Sequence, residues 1–192
     1  MGDTKYCLCC NEEVPFSTFE RNERIEVTCI YCGFTLDIQK LWEPQKPVEN
    51  GYALIADDSK YTRKIIEDLL KEKKFSENIQ SFENGLELIS AYSKLLKDKN
   101  PVNIAIIDLN MPVMDGLTAA RMIRSLEAQH NSKAVPIIFF SGEKADDNLK
   151  KQMESLEPAK YMNKGADPSP DTLADRVESL IAYLMNKYTN VT

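Results

Sequence analysis

A regular alternation of short apolar runs and amphipathic segments from residue 52 onward constrains the fold more than any other feature of this sequence. The apolar runs are predicted strands, at Tyr52–Ala56, Ile79–Phe82, Val102–Ile107, Val135–Phe140 and Ala159–Met162. The segments that follow them have apolar residues at helical spacing, and the last predicted helix covers about residues 171–187. Because parallel strands need helical crossovers, the pattern predicts a doubly wound α/β fold with a five-stranded parallel sheet.

Polar side chains follow four of the five predicted strands. Asp57 and Asp58 follow the first strand, Asp108 the third, Ser141 the fourth and Lys164 the fifth. The carboxyl ends of parallel strands meet at one edge of a sheet, which is where such sheets bind ligands. A single aspartate at a strand end is usually a turn former or a helix cap, so the argument depends on the whole cluster.

Three carboxylates in one pocket repel one another, so the pocket must hold either protons or a cation. Oxygen ligands of this kind suit Mg²⁺, which typically takes one or two carboxylates plus a phosphate oxygen. With Asp108 attacking a phosphorus atom, Lys164 and the Ser141 hydroxyl can hold the remaining oxygens of the transferred group. The residues therefore favour phosphoryl transfer to an aspartate.

Four motifs together resemble the receiver domain of bacterial two-component response regulators. They are ADDSKYTRKII, DLNMPVMDG, FFSGE and KYMNK, and the resemblance covers about residues 52–188. Each motif is weak alone, but their order and spacing are highly specific. The resemblance implies a flavodoxin-like strand order of 2-1-3-4-5 and a stand-alone receiver similar to the chemotaxis regulators.

The resemblance also assigns roles to the residues of the pocket. Asp108 matches the phosphoacceptor, and Asp57 and Asp58 match the acidic pair, with Asp58 favoured as the direct Mg²⁺ ligand. The carboxylate of Asp108 and the backbone carbonyl of Asn110 are the further expected Mg²⁺ ligands. Lys164 matches the lysine that contacts the phosphoryl group.

Two further positions match the switch residues of the family. Ser141 matches the hydroxyl that moves toward the phosphoryl group, and Tyr161 matches the aromatic side chain that then swings inward. An ordinary aromatic residue on an edge strand is the alternative interpretation of Tyr161. The side chains of Asn110 and Glu143 flank the pocket and are expected to tune dephosphorylation.

The sequence departs from the family directly after the lysine. The family has a proline there, joined through a cis peptide bond, whereas Gly165 follows Lys164 in this chain. A cis bond that does not precede proline costs about 2.5–4 kcal/mol, so a trans peptide is expected. The geometry of this loop and its coupling to the last helix remain open.

Two Cys-x-x-Cys pairs near the N-terminus predict a second metal site. The pairs are separated by 18 residues, a spacing that suits tetrahedral Zn²⁺. Asn11 after the first pair tolerates the left-handed backbone of a knuckle turn, which favours Cys10 over Cys9. The expected ligands are Cys7, Cys10, Cys29 and Cys32.

Alternating apolar residues around the second pair predict a β-hairpin beside the metal. These residues are Ile25, Val27, Phe34, Leu36 and Ile38. Residues 1–40 therefore resemble a zinc ribbon, residues 41–51 are a predicted linker, and residues 52–192 form the predicted receiver domain. Redox use of the cysteine pairs is the alternative, although a redox pair normally opens a helix in a βαβ setting.

Charge and hydropathy exclude several other classes of function. The formal net charge is −6, and residues 1–50 have nine acidic and five basic side chains, which favours protein contact over nucleic-acid binding. The apolar runs are far shorter than the roughly 20 residues of a membrane span, and the polar N-terminus lacks a signal-peptide pattern. We therefore expect a cytoplasmic protein with no membrane insertion.

Three functions are compatible with these residues. The first is a response regulator that a sensor histidine kinase or a phosphotransfer protein phosphorylates on Asp108. Such a protein is not an enzyme beyond its own phosphorylation and dephosphorylation. With no DNA-binding output domain expected, its signal passes through a downstream protein partner, a homodimer or the ribbon.

The second function is a haloacid-dehalogenase-like phosphatase, which also uses an aspartyl phosphate, Mg²⁺, a hydroxyl and a lysine. In those enzymes the nucleophile ends the first strand, whereas here the acidic pair comes first and Asp108 ends the third, an order that favours the receiver. The third function is a docking module that no longer takes phosphate, and the intact acids argue against it.

Overall fold

The computed structural model contains two β-sheets of different construction. It describes residues 4–7, 10, 12–21, 24–33, 35–39, 50–72, 75–142 and 147–164. The first sheet is antiparallel and has four strands, and the second is parallel and has five. Within these described ranges, no helix has the length and apolar character needed to cross a membrane.

The N-terminal sheet is an antiparallel meander with strand order β1-β2-β3-β4. Its strands are β1 (Thr4–Cys7), β2 (Glu12–Arg21), β3 (Arg24–Cys29) and β4 (Thr35–Gln39). The predicted hairpin around the second cysteine pair is confirmed as β3 and β4. Strands β1 and β2 were not predicted from the sequence. For β2 the strand pattern is weak, because this segment contains Pro15 and lacks a strict apolar alternation.

The second sheet has the predicted doubly wound architecture. Its elements are β5 (Tyr52–Ala56), α1 (Lys60–Glu72), β6 (Asn78–Phe82), α2 (Gly85–Lys97), β7 (Val102–Asp108), α3 (Gly116–His130), β8 (Ile137–Ser141), α4 (Asp147–Glu154) and β9 (Ala159–Asn163). The strand order is β6-β5-β7-β8-β9, which confirms the predicted order of 2-1-3-4-5. The predicted last helix, and the linker up to residue 49, lie outside the described residues.

The central strands of this sheet are buried on both faces. In β5, Ala53 and Ile55 belong to one apolar cluster, whereas Leu54 and Ala56 belong to the cluster on the opposite face. Successive side chains of a strand point to opposite faces, so a strand covered on both sides reads as a continuous apolar run. This construction fixes the positions of the strand ends that carry the polar residues.

The fourth parallel strand begins two residues later than predicted. Pro136 lacks an N–H group and accepts at its carbonyl from Ala105 N (3.0 Å), so regular pairing starts at Ile137. Val135 is buried as expected, but its amide donates to Glu127 Oε1 (2.7 Å). Val135 is apolar and buried like a strand residue, so the sequence pattern included it in the strand although it lies in the preceding loop.

A buried polar network closes the edge of the parallel sheet where β8 and β9 begin. The Glu127 carboxylate accepts from the Tyr92 hydroxyl (2.8 Å) and from Arg124 Nη1 (2.7 Å). Arg124 also donates to the carbonyls of Val135 (2.8 Å) and Leu156 (2.9 Å). The network ties α2 and α3 to the loops that lead into the last two strands.

Candidate functional site

The loops after four parallel strands meet at one edge of the sheet and bring three carboxylates together. Oxygens of Asp57, Asp58 and Asp108 lie within 4.8 Å of one another. Asp57 and Asp108 are buried, whereas Asp58 is exposed to solvent. The acidic cluster expected from the strand ends is therefore present, with one open side toward solvent.

Lys164 bridges the two buried acids of this cluster. Its Nζ atom lies 2.9 Å from Asp57 Oδ2 and 3.0 Å from Asp108 Oδ2. The same Nζ lies 5.4 Å from the centre of the Phe140 ring. The ammonium group therefore offsets the repulsion between the two carboxylates.

The surroundings of Asp57 disfavour ionisation of its carboxyl group. Burial raises the pKa of its carboxyl above the ordinary value, and the neighbouring Asp108 adds to the rise, although Lys164 and the Ser59 amide oppose it. Asp57 Oδ2 is also a buried oxygen without a hydrogen bond of acceptable geometry, so its contact with Lys164 is ionic rather than directional. A divalent cation fits this donor set, because it would satisfy that oxygen and relieve the repulsion among the acids.

The loop from β5 to α1 holds the acidic pair through short-range hydrogen bonds. The Ser59 amide donates to Asp57 Oδ1 (2.9 Å), and the Ser59 hydroxyl accepts from the Thr62 amide (3.3 Å) as a cap of α1. The amide of Asp57 donates to the Phe82 carbonyl (3.2 Å) at the end of β6. The acids are therefore attached both to the helix start and to the neighbouring strand.

Sequence reasoning missed Arg63, which lies directly behind the acidic pair. Its Nη1 atom donates to the carbonyls of Asp57 (2.7 Å) and Asp58 (3.3 Å), and its Nη2 donates to Glu83 Oε1 (2.9 Å). A signal was available, because Arg63 precedes the buried Ile66 by one helical turn and so lies on the apolar stripe of α1.

The turn after Asp108 requires a glycine at position 116. A Cβ atom there would collide with the Asp108 carbonyl oxygen and crowd Leu109, whereas the Gly116 amide donates to the Leu109 carbonyl (3.0 Å). Asp115 caps α3 by accepting from the Thr118 amide (2.8 Å). The Asp-Gly pair therefore lets the helix begin directly against the strand end.

Ser141 lies on β8, the strand next to that of Asp108, and Tyr161 lies on β9, one strand further along the sheet. In the register of the sheet Asp108 pairs with Phe140, and the side chain of Ser141, the next residue, is buried. Tyr161 is also buried, and its hydroxyl accepts from Asn163 Nδ2 (3.4 Å). The structure therefore describes the aromatic side chain in an inward position.

Three other residues were predicted to belong to the pocket or its loop, namely Asn110, Glu143 and Gly165. Asn110 lies in the bend two residues after Asp108, and it is exposed. Glu143 and Gly165 lie outside the described residues, so their expected roles stay predictions. The Lys164 amide donates to the Ser141 carbonyl (2.7 Å), which fixes the backbone at the start of the lysine loop.

The four predicted cysteines converge in the N-terminal sheet. Their sulfur atoms lie within 4.8 Å of one another, at 3.5 Å for Cys7–Cys32 and 3.7 Å for Cys10–Cys29. These separations are too long for a disulfide bond and match the edge of about 3.8 Å in a tetrahedron with Zn–S bonds of about 2.3 Å. The geometry therefore fits a metal centre, in turns between antiparallel strands rather than at a helix start.

Backbone amides turn toward two of these sulfur atoms. Cys7 Sγ accepts from the Cys10 amide (3.4 Å), and Cys29 Sγ accepts from the amides of Tyr31 (3.3 Å) and Cys32 (3.5 Å). Hydrogen bonding to Cys32 and Cys7 raises the pKa of the Cys10 thiol far above its ordinary value. Four thiolates therefore cannot coexist here without a cation. Cys9 lies outside the described residues.

The parallel sheet and its acidic edge define a flavodoxin-like α/β protein with an oxygen-lined cation pocket. A family model described as the response regulator receiver domain matches residues 53–178. The chain therefore belongs to the response regulator receiver family.

Curated relatives span several kinds of signalling protein. Chemotaxis protein CheY of Bacillus subtilis is 36% identical over 76 residues, which cover 40% of this chain and 58% of the relative. Hybrid signal transduction histidine kinase A of Dictyostelium discoideum is 32% identical over 114 residues, covering 58% of this chain and 5% of the kinase. A protein-glutamate methylesterase/protein-glutamine glutaminase of Methanosarcina acetivorans is 38% identical over 88 residues, covering 46% of this chain and 22% of the relative. The match thus spans less than two thirds of each relative.

Solved structures support the same fold. The receiver domain of the histidine kinase CKI1 from Arabidopsis thaliana, complexed with Mg²⁺ and BeF₃⁻, aligns with a TM-score of 0.56 and 23% identity. That alignment covers 69% of this chain and 91% of the other. CheY in the CheX-CheY-BeF₃-Mg²⁺ complex of Borrelia burgdorferi aligns with a TM-score of 0.53 and 23% identity, covering 68% and 88%.

Proposed function

We propose that this chain is a response regulator that accepts a phosphoryl group on Asp108 in a Mg²⁺-dependent reaction. The observation that carries the proposal is the buried contact of Lys164 with Asp57 and Asp108, beside an exposed Asp58 whose oxygens lie within 4.8 Å of theirs. The family match supports the receiver over the phosphatase alternative.

The reaction transfers the phosphoryl group of a phosphohistidine, or of a small phosphodonor, to Asp108. An Asp108 carboxylate oxygen forms the new bond to phosphorus, and the bond from phosphorus to the donor's leaving atom breaks. Asp57, Asp58, Asp108 and the Asn110 carbonyl would hold Mg²⁺, which would supply positive charge that offsets the charge on the transferred oxygens. Lys164, which contacts Asp108 beforehand, then binds a phosphoryl oxygen.

Ser141 and Tyr161 carry the signal from the pocket to the surface. The Ser141 hydroxyl donates to the phosphoryl group, and the inward position of Tyr161 accompanies that contact. The burial of both side chains, and the position of Ser141 one residue beyond the register partner of Asp108, support this role. The side chains of Asn110 and Glu143 control the approach of water and hence the lifetime of the phosphoaspartate.

The phosphodonor is a sensor histidine kinase or a phosphotransfer protein, and signalling proceeds through contact with a downstream protein or a second copy in a homodimer. Nucleic acid is not a partner in this proposal, because the net charge of −6 gives no general attraction to it. These contacts take place in the cytoplasm.

The N-terminal module is a zinc ribbon that binds one Zn²⁺ through Cys7, Cys10, Cys29 and Cys32. The spacing of the sulfur atoms and the amides that turn toward Cys7 and Cys29 support this ligand set. The acidic character of residues 1–50 favours a protein, rather than a nucleic acid, as the surface that the ribbon contacts.

Intact-mass measurement of the phosphorylated chain tests the main proposal. The chain is incubated with acetyl phosphate and MgCl₂, and the expected product gains one phosphoryl group that hydroxylamine removes. Asp108→Asn should gain none. Asp115→Asn is the matched control, because Asp115 also follows β7 but is exposed and caps α3, and it should gain the group normally.

Three outcomes contradict the proposal. Phosphorylation of Asp108→Asn places the acceptor elsewhere, and a native chain that gains nothing at any Mg²⁺ concentration supports the docking module. Sustained turnover of p-nitrophenyl phosphate by the native chain supports the phosphatase instead.

A further inference from the structure

Arg63 is a buried cation without an assigned role in phosphoryl transfer. It lies on α1, only 8% of its surface is exposed, and it shares the buried stripe of the helix with Ile66 and Leu70. Arginine is almost never this deeply buried unless its guanidinium group is paired. The groups that accept hydrogen bonds from the Arg63 guanidinium group therefore indicate the role of this residue.

The guanidinium group of Arg63 binds the backbone of the acidic pair. Nη1 donates to the carbonyl of Asp57 at 2.7 Å and to the carbonyl of Asp58 at 3.3 Å. Nη2 donates to Glu83 Oε1 at 2.9 Å, in the loop that leads from β6 to α2. One planar side chain therefore joins the acidic loop to the neighbouring loop of the same sheet edge.

These contacts complete the attachment of the acidic loop. Other hydrogen bonds hold only Asp57: its carboxylate accepts from the Ser59 amide, and its amide donates to the Phe82 carbonyl. Asp58 is exposed, and its backbone carbonyl accepts a hydrogen bond from Arg63. Without the guanidinium group, the buried Asp57 carbonyl would lose its strong donor, and the loop would relax around it.

We infer that Arg63 is a positioning residue for Mg²⁺ binding, which holds the backbone of Asp57 and Asp58 so that their carboxylates converge. This inference rests on the proposed Mg²⁺ site. Groups that orient metal ligands without touching the metal typically affect metal affinity about 10- to 100-fold. Arg63 is such a group, acting through two backbone carbonyls.

The positive charge of Arg63, taken alone, predicts the opposite change in Mg²⁺ affinity when Arg63 is replaced. A cation behind the acidic pair repels Mg²⁺, so its removal would strengthen Mg²⁺ binding if Arg63 acted through charge alone. Loss of positioning weakens Mg²⁺ binding. The direction of the change therefore separates the two roles.

The experiment is a titration of the zinc-loaded full chain with MgCl₂, followed through the backbone amide signals of the acidic pocket by NMR. Arg63→Met should weaken Mg²⁺ binding about tenfold or more. Arg63→Lys keeps the charge but lacks the planar fork that reaches two carbonyls and Glu83 together, so it should also weaken binding, by a smaller factor. If Arg63→Met does not fold, Arg63→Lys carries the test.

Arg124→Met is the matched control, because it removes a partly buried arginine with similar contacts. Arg124 likewise donates to backbone carbonyls, those of Val135 and Leu156, but at the opposite edge of the sheet. Its replacement should lower the unfolding midpoint and leave the Mg²⁺ affinity within about twofold, because distant sites act independently. A purely structural role for Arg63 would give the same pattern as Arg124.

The results separate this inference from the proposed function. A native chain that binds no Mg²⁺ removes the proposed function itself. A native chain that binds Mg²⁺ while Arg63→Met and Arg63→Lys bind it equally well or more tightly overturns only the role of Arg63. An equal loss of Mg²⁺ affinity in Arg124→Met also overturns it, because the effect would then follow general destabilisation.

Discussion

The two regions that we propose to bind metals are assembled in opposite ways. The N-terminal sheet gathers four sulfur atoms at turns between antiparallel strands, and its described buried apolar side chains are Cys7, Val14, Val27 and Cys29. The parallel sheet presents three carboxylates at the ends of strands that are buried on both faces. Cys7, Val14 and Cys29 beside the sulfur site join the apolar cluster on one face of the parallel sheet, whereas the oxygen site lies at the ends of strands that are buried on both faces.

This difference assigns different energetic roles to the two metals. In the ribbon, few described side chains besides the cysteines are buried, so we expect the proposed Zn²⁺ to supply much of the folding free energy. In the receiver, Lys164 offsets the repulsion between Asp57 and Asp108 through contacts within the protein. We therefore expect the proposed Mg²⁺ to add stability to the receiver only by mass action.

Removal of one zinc ligand gives the largest expected effect and tests the first half of this contrast. Cys29→Ser should abolish zinc binding and unfold the ribbon, since structural Zn²⁺ contributes on the order of 10–16 kcal/mol in zinc-finger peptides. The receiver should keep its own cooperative unfolding transition. Zinc content by metal analysis and the dispersion of amide signals by NMR measure the two outcomes.

Cys9→Ser is the matched control, because Cys9 is a neighbouring cysteine outside the expected ligand set. It should retain about one Zn²⁺ per chain, the content expected of a single four-cysteine site. Retention of full zinc by a Cys10 variant would show that the ligand set is wrong. Unfolding of the receiver together with the ribbon would instead break the contrast between the two regions.

The second half of the contrast is tested by a substitution inside the receiver. Glu127→Leu removes the carboxylate that Tyr92, Arg124 and the Val135 amide share, and leaves those donors buried without it. Breaking a buried ion pair from one side typically costs about 3–5 kcal/mol of unfolding free energy. Urea unfolding measures the loss, and the zinc content should not change.

Tyr92→Phe is the reference with which the loss of unfolding free energy in Glu127→Leu is compared. It removes one hydroxyl from the same network, and the expected cost is about 1 kcal/mol. Should Glu127→Leu cost no more than Tyr92→Phe, the network would not be what closes this edge of the sheet. A fall in zinc content in either variant would show that the two regions do not fold separately.

Much of the receiver could be predicted because its signals are local. A strand buried on both faces gives an unbroken apolar run, and the acids that end two of these runs, such as Asp57 and Asp108, must meet once the strands are parallel. The antiparallel ribbon gave a weaker signal, because the described residues of β1 include only one buried apolar side chain, Cys7. Half of its sheet was therefore missed.

Contacts between distant segments could not be predicted in the same way. No pattern within α1 indicates that Arg63 reaches Glu83, since that pair depends on how two loops meet. Val113 has a φ of 66°, a left-handed conformation that a β-branched residue rarely adopts, and the sequence contains no sign of it. The ionic contact of Lys164 with Asp57 likewise depends on the tertiary structure.

The smallest expected change in the free energy of unfolding comes from the cap of α3. It tests whether local contacts, rather than a metal, stabilise the receiver. Asp115→Ala removes the acceptor for the Thr118 amide and should cost about 1 kcal/mol of unfolding free energy. Burial disfavours ionisation of Asp115, but the hydrogen bonds from the Thr118 amide and hydroxyl outweigh it and lower its pKa below the ordinary value of 3.8. The cap therefore contributes fully above pH 3.8, and its contribution is lost as the pH falls through the lowered pKa.

Two further variants separate the charge of this cap from its hydrogen bond. Asp115→Asn keeps an acceptor at the helix start, so it should retain most of the stability at neutral pH and lose the pH dependence of the cap. Asn84 caps α2 by accepting from the Glu87 amide (3.0 Å) and donates to the Glu87 carboxylate (3.1 Å), so Asn84→Ala should cost a similar amount at neutral pH. Urea unfolding between neutral pH and pH 3 measures all three variants. An Asp115→Ala variant whose deficit persists unchanged at the lowest pH would show that Asp115 stabilises the start of α3 without being ionised.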